Sequence, residues 1–121
     1  MNRNNDKLIN DKTLPAHNFI TRELVRRKMV TGDSDFELYL YDALFEELLL
    51  RYEFKTVIVC TNYVVTKMKQ SNLCDEYGNP IENIYAYFAS SVRFNLKKIT
   101  TEFNWEEYDT FKSWIARYNE T

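Results

Sequence analysis

Apolar positions along this chain recur at helical rather than strand spacing. Over residues 17–29, Phe19, Ile20, Leu24 and Val25 fall on one stripe, with Arg22, Arg26, Arg27 and Lys28 largely off it. Gly32 stands where a C-terminal cap belongs. Asp33, Ser34 and Asp35 each suit the N-cap of a second helix, and Glu37 follows Ser34 by three positions, as in a capping box. That helix is expected to reach about Tyr52. Its rows Phe36, Leu40, Leu44, Leu48 and Tyr41, Phe45, Leu49, Tyr52 form a wide apolar face, leaving Asp42, Glu46 and Glu47 on the wet side.

Residues 56–70 admit two readings. Val57, Ile58, Val59 and Cys60 suit a buried strand, since three of the four are β-branched. The apolar character continues through Tyr63, Val64, Val65 and Met68, which is long for a strand and favours a buried helix. A polar loop over 71–79 follows. Asn79 as N-cap with Pro80 at the first helical position then announces the clearest helix, carrying Ile81, Ile84, Tyr85, Phe88, Val92, Leu96 and Ile99 at helical spacing. A last helix is expected over 105–118, capped by Asn104 or Thr101, with Tyr108, Phe111, Ile115 and Tyr118 facing inward. The pattern predicts an all-α fold, a compact bundle of about five helices. Residues 1–16 read as an irregular polar leader and 17–121 as a single helical interaction domain.

Composition supports this reading. Only two Gly and two Pro occur in 121 residues, too few turn formers for an all-β sandwich or barrel. With 45% hydrophobic residues and 28% charged, the chain can bury one core. No apolar run approaches the ~20 residues of a transmembrane helix, and the polar start lacks the apolar stretch of a signal peptide, so the expected location is cytoplasmic. The net charge is -2 but unevenly spread. Residues 1–32 hold seven basic and three acidic side chains, leaving nine basic and fifteen acidic for the rest. A basic arm before an acidic body suits contact with nucleic acid or an acidic partner, or an arm folded back on its own domain.

The residue inventory predicts no enzyme. His17 is the only histidine in the sequence and is expected to be structural or solvated. Cys60 and Cys74 form neither a CxxC pair nor a disulfide framework, and no four-ligand zinc site can be assembled without carboxylates. Gly32 and Gly78 lie in separate turns and cannot form a phosphate loop. The pairs Glu46-Glu47, Asp75-Glu76 and Glu106-Glu107 read as solvated helix faces, because neighbouring helical residues point about 100° apart. Catalytic residues, metal sites and cofactors are therefore all expected to be absent.

Two candidate contact surfaces remain. Arg22, Arg26, Arg27 and Lys28 form a short basic cluster, with Arg22 and Arg26 one turn apart as if to bridge phosphates or an acidic partner. On the helix after Asn79, Tyr87 and Phe94 sit opposite the core stripe with Ser91 between them and Arg93, Lys97 and Lys98 nearby, a pattern that suits partner binding. A helix buried all round would show the same aromatics.

Residues 79–96 carry Asn79-Pro80, Asn83 and Tyr87-Phe88 in the arrangement N-P-x-x-N-x-x-x-Y-F. This stretch resembles a helix near the C-termini of plasmid replication initiators from low-GC Gram-positive bacteria, of staphylococcal type. In that family the C-terminal helical domain is similar to the DnaD-type primosome domain and recruits host primase or helicase. An N-terminal winged-helix domain binds the plasmid origin. The resemblance implies a DnaD-like fold, with Trp105 and Trp114 in an approximate closing helix, and a non-catalytic role in plasmid replication initiation. The winged helix does not fall within this chain and would have to precede Met1. The alternative is a plasmid or phage regulator that binds DNA through the basic N-terminal arm.

Overall fold

The structure, a computed structural model, describes residues 16–102 and 116–117. Four α-helices follow one another: α1 (Phe19–Arg26), α2 (Asp35–Leu49), α3 (Phe54–Gln70) and α4 (Ile84–Glu102). Among the described residues there is no strand; Cys74 and Pro80 form an isolated antiparallel bridge. The fold is all-helical as the spacing predicts, with four helices described rather than five. The helix expected over 105–118 lies outside the described residues, apart from the helical pair Ala116 and Arg117, as does the leader up to residue 15. None of these helices is long and apolar enough to cross a membrane. The chain divides into two compact units, Met1–Leu50 and Arg51–Thr121.

In the first unit, α1 is shorter than the expected 17–29. Asn18 caps its start, its side-chain oxygen accepting from the Ile20 N–H at 2.9 Å. The helix stops at Arg27 because Lys28 turns left-handed, at φ 60°. The Lys28 N–H then donates to Val25 O and the Met29 N–H to Leu24 O, each at 2.9 Å. This is the Schellman closure, which satisfies the last free carbonyls of the helix. The C-cap is therefore Arg27, and the left-handed residue that closes the helix is Lys28, not Gly32. Gly32 serves the following turn at φ 79°, where a Cβ would lie 3.2 Å from Val25 Cγ1.

Helix α2 starts as its sequence announces, with Ser34 Oγ accepting from the Glu37 N–H at 3.2 Å. Leu38, Tyr41, Leu44, Phe45 and Leu48 are buried. Two expectations fail here. Phe36 and Leu40 are exposed instead of packed, because the buried stripe is centred one row further round on Tyr41 and Phe45. Asp42, placed by its charge on the wet side, is buried, because a histidine reaches it from outside the helix.

In the second unit, residues 57–60 are helical, and α3 is buried along most of its length from Thr56 to Met68. The β-branched run is tolerated because all-round burial outweighs a weak local preference. Against it lies α4, with Phe88, Ala89, Val92 and Leu96 buried. The Cys60 thiol donates to Val92 O at 3.5 Å across this seam.

The connection between them differs from the expected helix start at Asn79-Pro80. Asp75 and Asn79 close a hairpin instead: the Asp75 N–H donates to Asn79 O at 2.8 Å, and Asp75 Oδ1 accepts from the Tyr77 and Asn79 N–H groups at 2.9 Å each. Pro80 is held extended by the bridge to Cys74. Helix α4 therefore begins four residues later. Asn83 is its cap, accepting from the Ala86 N–H at 2.9 Å.

Candidate functional site

The residues with the most chemical potential in the first unit meet at His17. Its side chain is fully buried, and its two ring nitrogens face two carboxylates: Nδ1 to Asp42 Oδ2 at 2.6 Å and Nε2 to Asp35 Oδ1 at 3.1 Å. Ionised carboxylates only accept, so each nitrogen must donate, and the arrangement selects the doubly protonated imidazolium. Burial pulls the His17 pKa down, but the hydrogen bonds to Asp42 and Asp35 and their charges outweigh it, leaving it above the ordinary 6.5. Asp42 Oδ1 also accepts from the Asn18 N–H at 2.9 Å, and the ring lies 4.6 Å from that of Tyr39. One carboxylate thus fixes both the histidine and the entry to α1. A fully enclosed imidazole held on both nitrogens has no face to offer a substrate, so it acts as a clamp between α1 and α2. The signal missed in the sequence is Asp42 among buried apolar neighbours, 25 residues from its partner.

The basic cluster is largely committed within α1. Arg26 Nε lies 3.2 Å from Glu23 Oε2, and that glutamate is buried. The Arg22 guanidinium sits 5.6 Å from the centre of the Phe19 ring. Arg27 is half-buried, and Lys28 is exposed at the helix-closing turn. Arg22 and Arg26 do lie one turn apart; Arg26 is paired with Glu23, whereas Arg22 keeps a buried Nε without a hydrogen-bond partner beside its contact with the Phe19 ring.

The five residues proposed for partner binding all lie on α4, but the structure separates them. Tyr87 and Ser91 are half-buried on the wall of a groove of about 380 Å³ between α3, the hairpin loop and α4. Val64 and Met68 contribute apolar surface there, Lys67 stands 5.7 Å from the centre of the Tyr63 ring, and Asn95 Nδ2 donates to Ser91 O at 2.8 Å. Asp75 and Glu76 lie at the same groove. Asp75 spends one oxygen on closing the hairpin, so its position is fixed by the turn.

Phe94 points elsewhere, with 62% of its surface exposed. Lys98 Nζ lies 5.2 Å from its ring centre. Beside it Tyr85, Ala86, Ala89, Ser90, Arg93 and Lys97 form a shallow shelf along the outer side of α4. This shelf is apolar at its N-terminal end and cationic toward its C-terminal end. Arg93 stands on the shelf where the sequence pattern put it, whereas Tyr85 reads from its spacing as part of the core stripe and Ala86 carries no aromatic or charged signal.

Cys60 is buried, and burial pushes its thiol up to about 12, so it packs and donates rather than reacting as a thiolate. Among the described residues no group of three or more His, Cys, Asp or Glu side chains is arranged to hold a metal ion. No protein-family model, curated protein or solved structure matches the chain.

Proposed function

We propose that this chain is a non-catalytic interaction module whose working surface is the outer shelf of α4. The observation that carries this reading is Phe94. A large apolar ring 62% exposed, with a lysine over it and further cations and small apolar side chains beside it, makes a contiguous mixed patch of the kind that partners bind. An apolar centre with a charged rim is the ordinary anatomy of a protein interface. Arginine and aromatic side chains are also the types that most often dominate binding energy.

For the partner, the resemblance of 79–96 to plasmid replication initiators points to a host primase or helicase recruited to an origin. The Asn79-Pro80 part of that motif closes a hairpin here, and its Tyr87 lines the groove rather than the shelf. The recruiting residues in this reading are accordingly Phe94, Lys97 and Arg93, with Lys98 supporting the ring. A pull-down with purified host primase and helicase decides it. Retention of either protein by the chain is the expected result. Phe94→Ala should weaken it by about thirtyfold, as loss of one hot spot of about 2 kcal/mol would. If neither protein is retained, the recruitment reading fails. If Phe94→Ala binds as tightly as the parent, the shelf is the wrong surface.

A further inference from the structure

A second helix face on the same chain has the opposite character to the shelf. On α2, Phe36, Tyr39, Leu40 and Ala43 are all exposed, and they fall at i, i+3, i+4 and i+7. This is the anchor spacing of an amphipathic helix that lies in a partner's groove. Phe36 is 76% exposed and Tyr39 56%. One to two turns further along the same stripe stand Glu46 and Glu47, both exposed. No lysine or arginine occurs anywhere in α2.

The α4 shelf is its complement in both charge and order. Tyr85, Ala86 and Ala89 come first, and Arg93, Phe94 and Lys97 follow, with no acidic side chain among the residues that line it. The distance also matches. From Phe36 to Glu46–Glu47 along α2, and from Tyr85–Ala86 to Lys97 along α4, the rise is about 15–18 Å at 1.5 Å per residue. Side by side and parallel, the apolar half of α2 meets the small residues at the start of the shelf. Its glutamates then meet Arg93 and Lys97. Small side chains at Ala86, Ala89 and Ser90 let a second helix approach where bulky ones would hold it off.

We propose that the occupant of the shelf is a second copy of this chain, docking the outer face of its α2 on the outer face of α4. Each face lies within one compact unit and is argued from that unit alone. The contact is heterologous: every copy offers one donor face and one receptor face, so association can continue beyond two copies. It stands on the two faces and not on the identity of any host partner.

The test uses the full chain and two charge-reversed variants, Glu46→Lys with Glu47→Lys on α2, and Arg93→Glu with Lys97→Glu on α4. All sites are exposed, and far-UV circular dichroism verifies that each variant remains helical. In sedimentation velocity at low salt the parent chain should exceed its single-chain mass of 14.6 kDa as concentration rises. Association should weaken as salt screens the exposed charges. Each variant alone should associate at least tenfold more weakly. Mixed one to one, they should regain association, because the native α2 and α4 faces pair with each other and so do the two reversed faces. A chain carrying all four substitutions should recover association, since reversing both faces restores complementarity.

A parent chain that stays at single-chain mass up to millimolar concentration overturns the proposal. So does a variant that still pairs with itself, which would place a two-fold contact elsewhere. A monomeric chain that nevertheless captures primase or helicase through Phe94 would show that the shelf serves an outside partner alone.

Discussion

The two units solve the same problem, joining one helix to the next, by opposite means. In the first, α1 is pinned to α2 through a buried imidazole between Asp42 and Asp35, with a second buried acid, Glu23, held by Arg26. In the second, α3 and α4 meet along an apolar seam of Val57, Val64, Phe88, Val92 and Leu96 whose polar contacts include a thiol on a carbonyl. A charged clamp gives geometric exactness: it accepts one partner in one orientation and suffers badly when either member is lost. An apolar seam gives stabilisation roughly in proportion to the area it removes from water and is insensitive to pH. The first unit, whose Ile20, Leu24, Leu38, Tyr41 and Phe45 are buried too, should therefore respond to solution conditions as well as to side-chain volume, and the second mainly to volume.

The largest effect is expected from Asp42→Ala, which leaves the buried imidazolium without its closest acceptor and frees the Asn18 N–H. Destabilisation of about 3–5 kcal/mol is expected in chemical denaturation. A loss below about 1 kcal/mol would mean that the clamp contributes little. Leu96→Ala in the apolar seam should cost about 2–5 kcal/mol through lost burial and the cavity left behind.

These two variants should part company with pH. His17 titrates above its ordinary 6.5 in the folded chain, so its contribution is full below about 6.5 and disappears as pH rises through the folded-state value. Melting temperature should accordingly fall on going from pH 6 to pH 9 in the parent and in Leu96→Ala, while His17→Asn flattens this dependence. An equally steep profile in His17→Asn would assign the effect to other groups.

Smaller effects test how α1 is closed. Gly32→Ala places a Cβ 3.2 Å from Val25 at φ 79° and should cost about 1–3 kcal/mol. Lys28→Gly should instead raise stability by about 0.5 kcal/mol, because glycine adopts the left-handed cap without strain and loses only part of that gain to unfolded-state entropy. Equal responses at the two positions would contradict the assignment of Lys28 as the left-handed residue that closes α1.

The contrast between the units also governs what could be read in the sequence. The apolar seam was legible because hydrophobic spacing is local: Phe88, Val92 and Leu96 announce one face, and the long run to Met68 outvotes the β-branched start of α3. The clamp was not legible. An aspartate at position 42 reads as solvated until its partner is known, and that partner lies 25 residues away on what reads as the edge of a polar leader. The same blindness to long-range and loop chemistry misplaced two boundaries. Asn79-Pro80 has the residue types of a helix start, yet Asp75 captures Asn79 for a hairpin. Gly32 has the residue type of a cap, yet Lys28 closes the helix. On the candidate surface, Arg93, Phe94, Lys97 and Lys98 were legible from spacing alone. Tyr87, seven residues from Phe94 and therefore on nearly the same line of α4, is drawn into the groove beside α3. The outward turn of Phe36 and Leu40 could not be read, because a wide apolar stripe does not say which of its rows is covered.

In the function proposed for this chain the outer shelf of α4 does the binding and His17 has a purely structural part. Capture of purified primase and helicase, measured alongside melting temperature for Phe94→Ala and His17→Asn, tests that division most directly. Phe94→Ala is expected to lose capture at an unchanged melting temperature, while His17→Asn melts earlier yet captures normally below its transition. Normal capture by Phe94→Ala, together with loss of capture by a still folded His17→Asn, would contradict it.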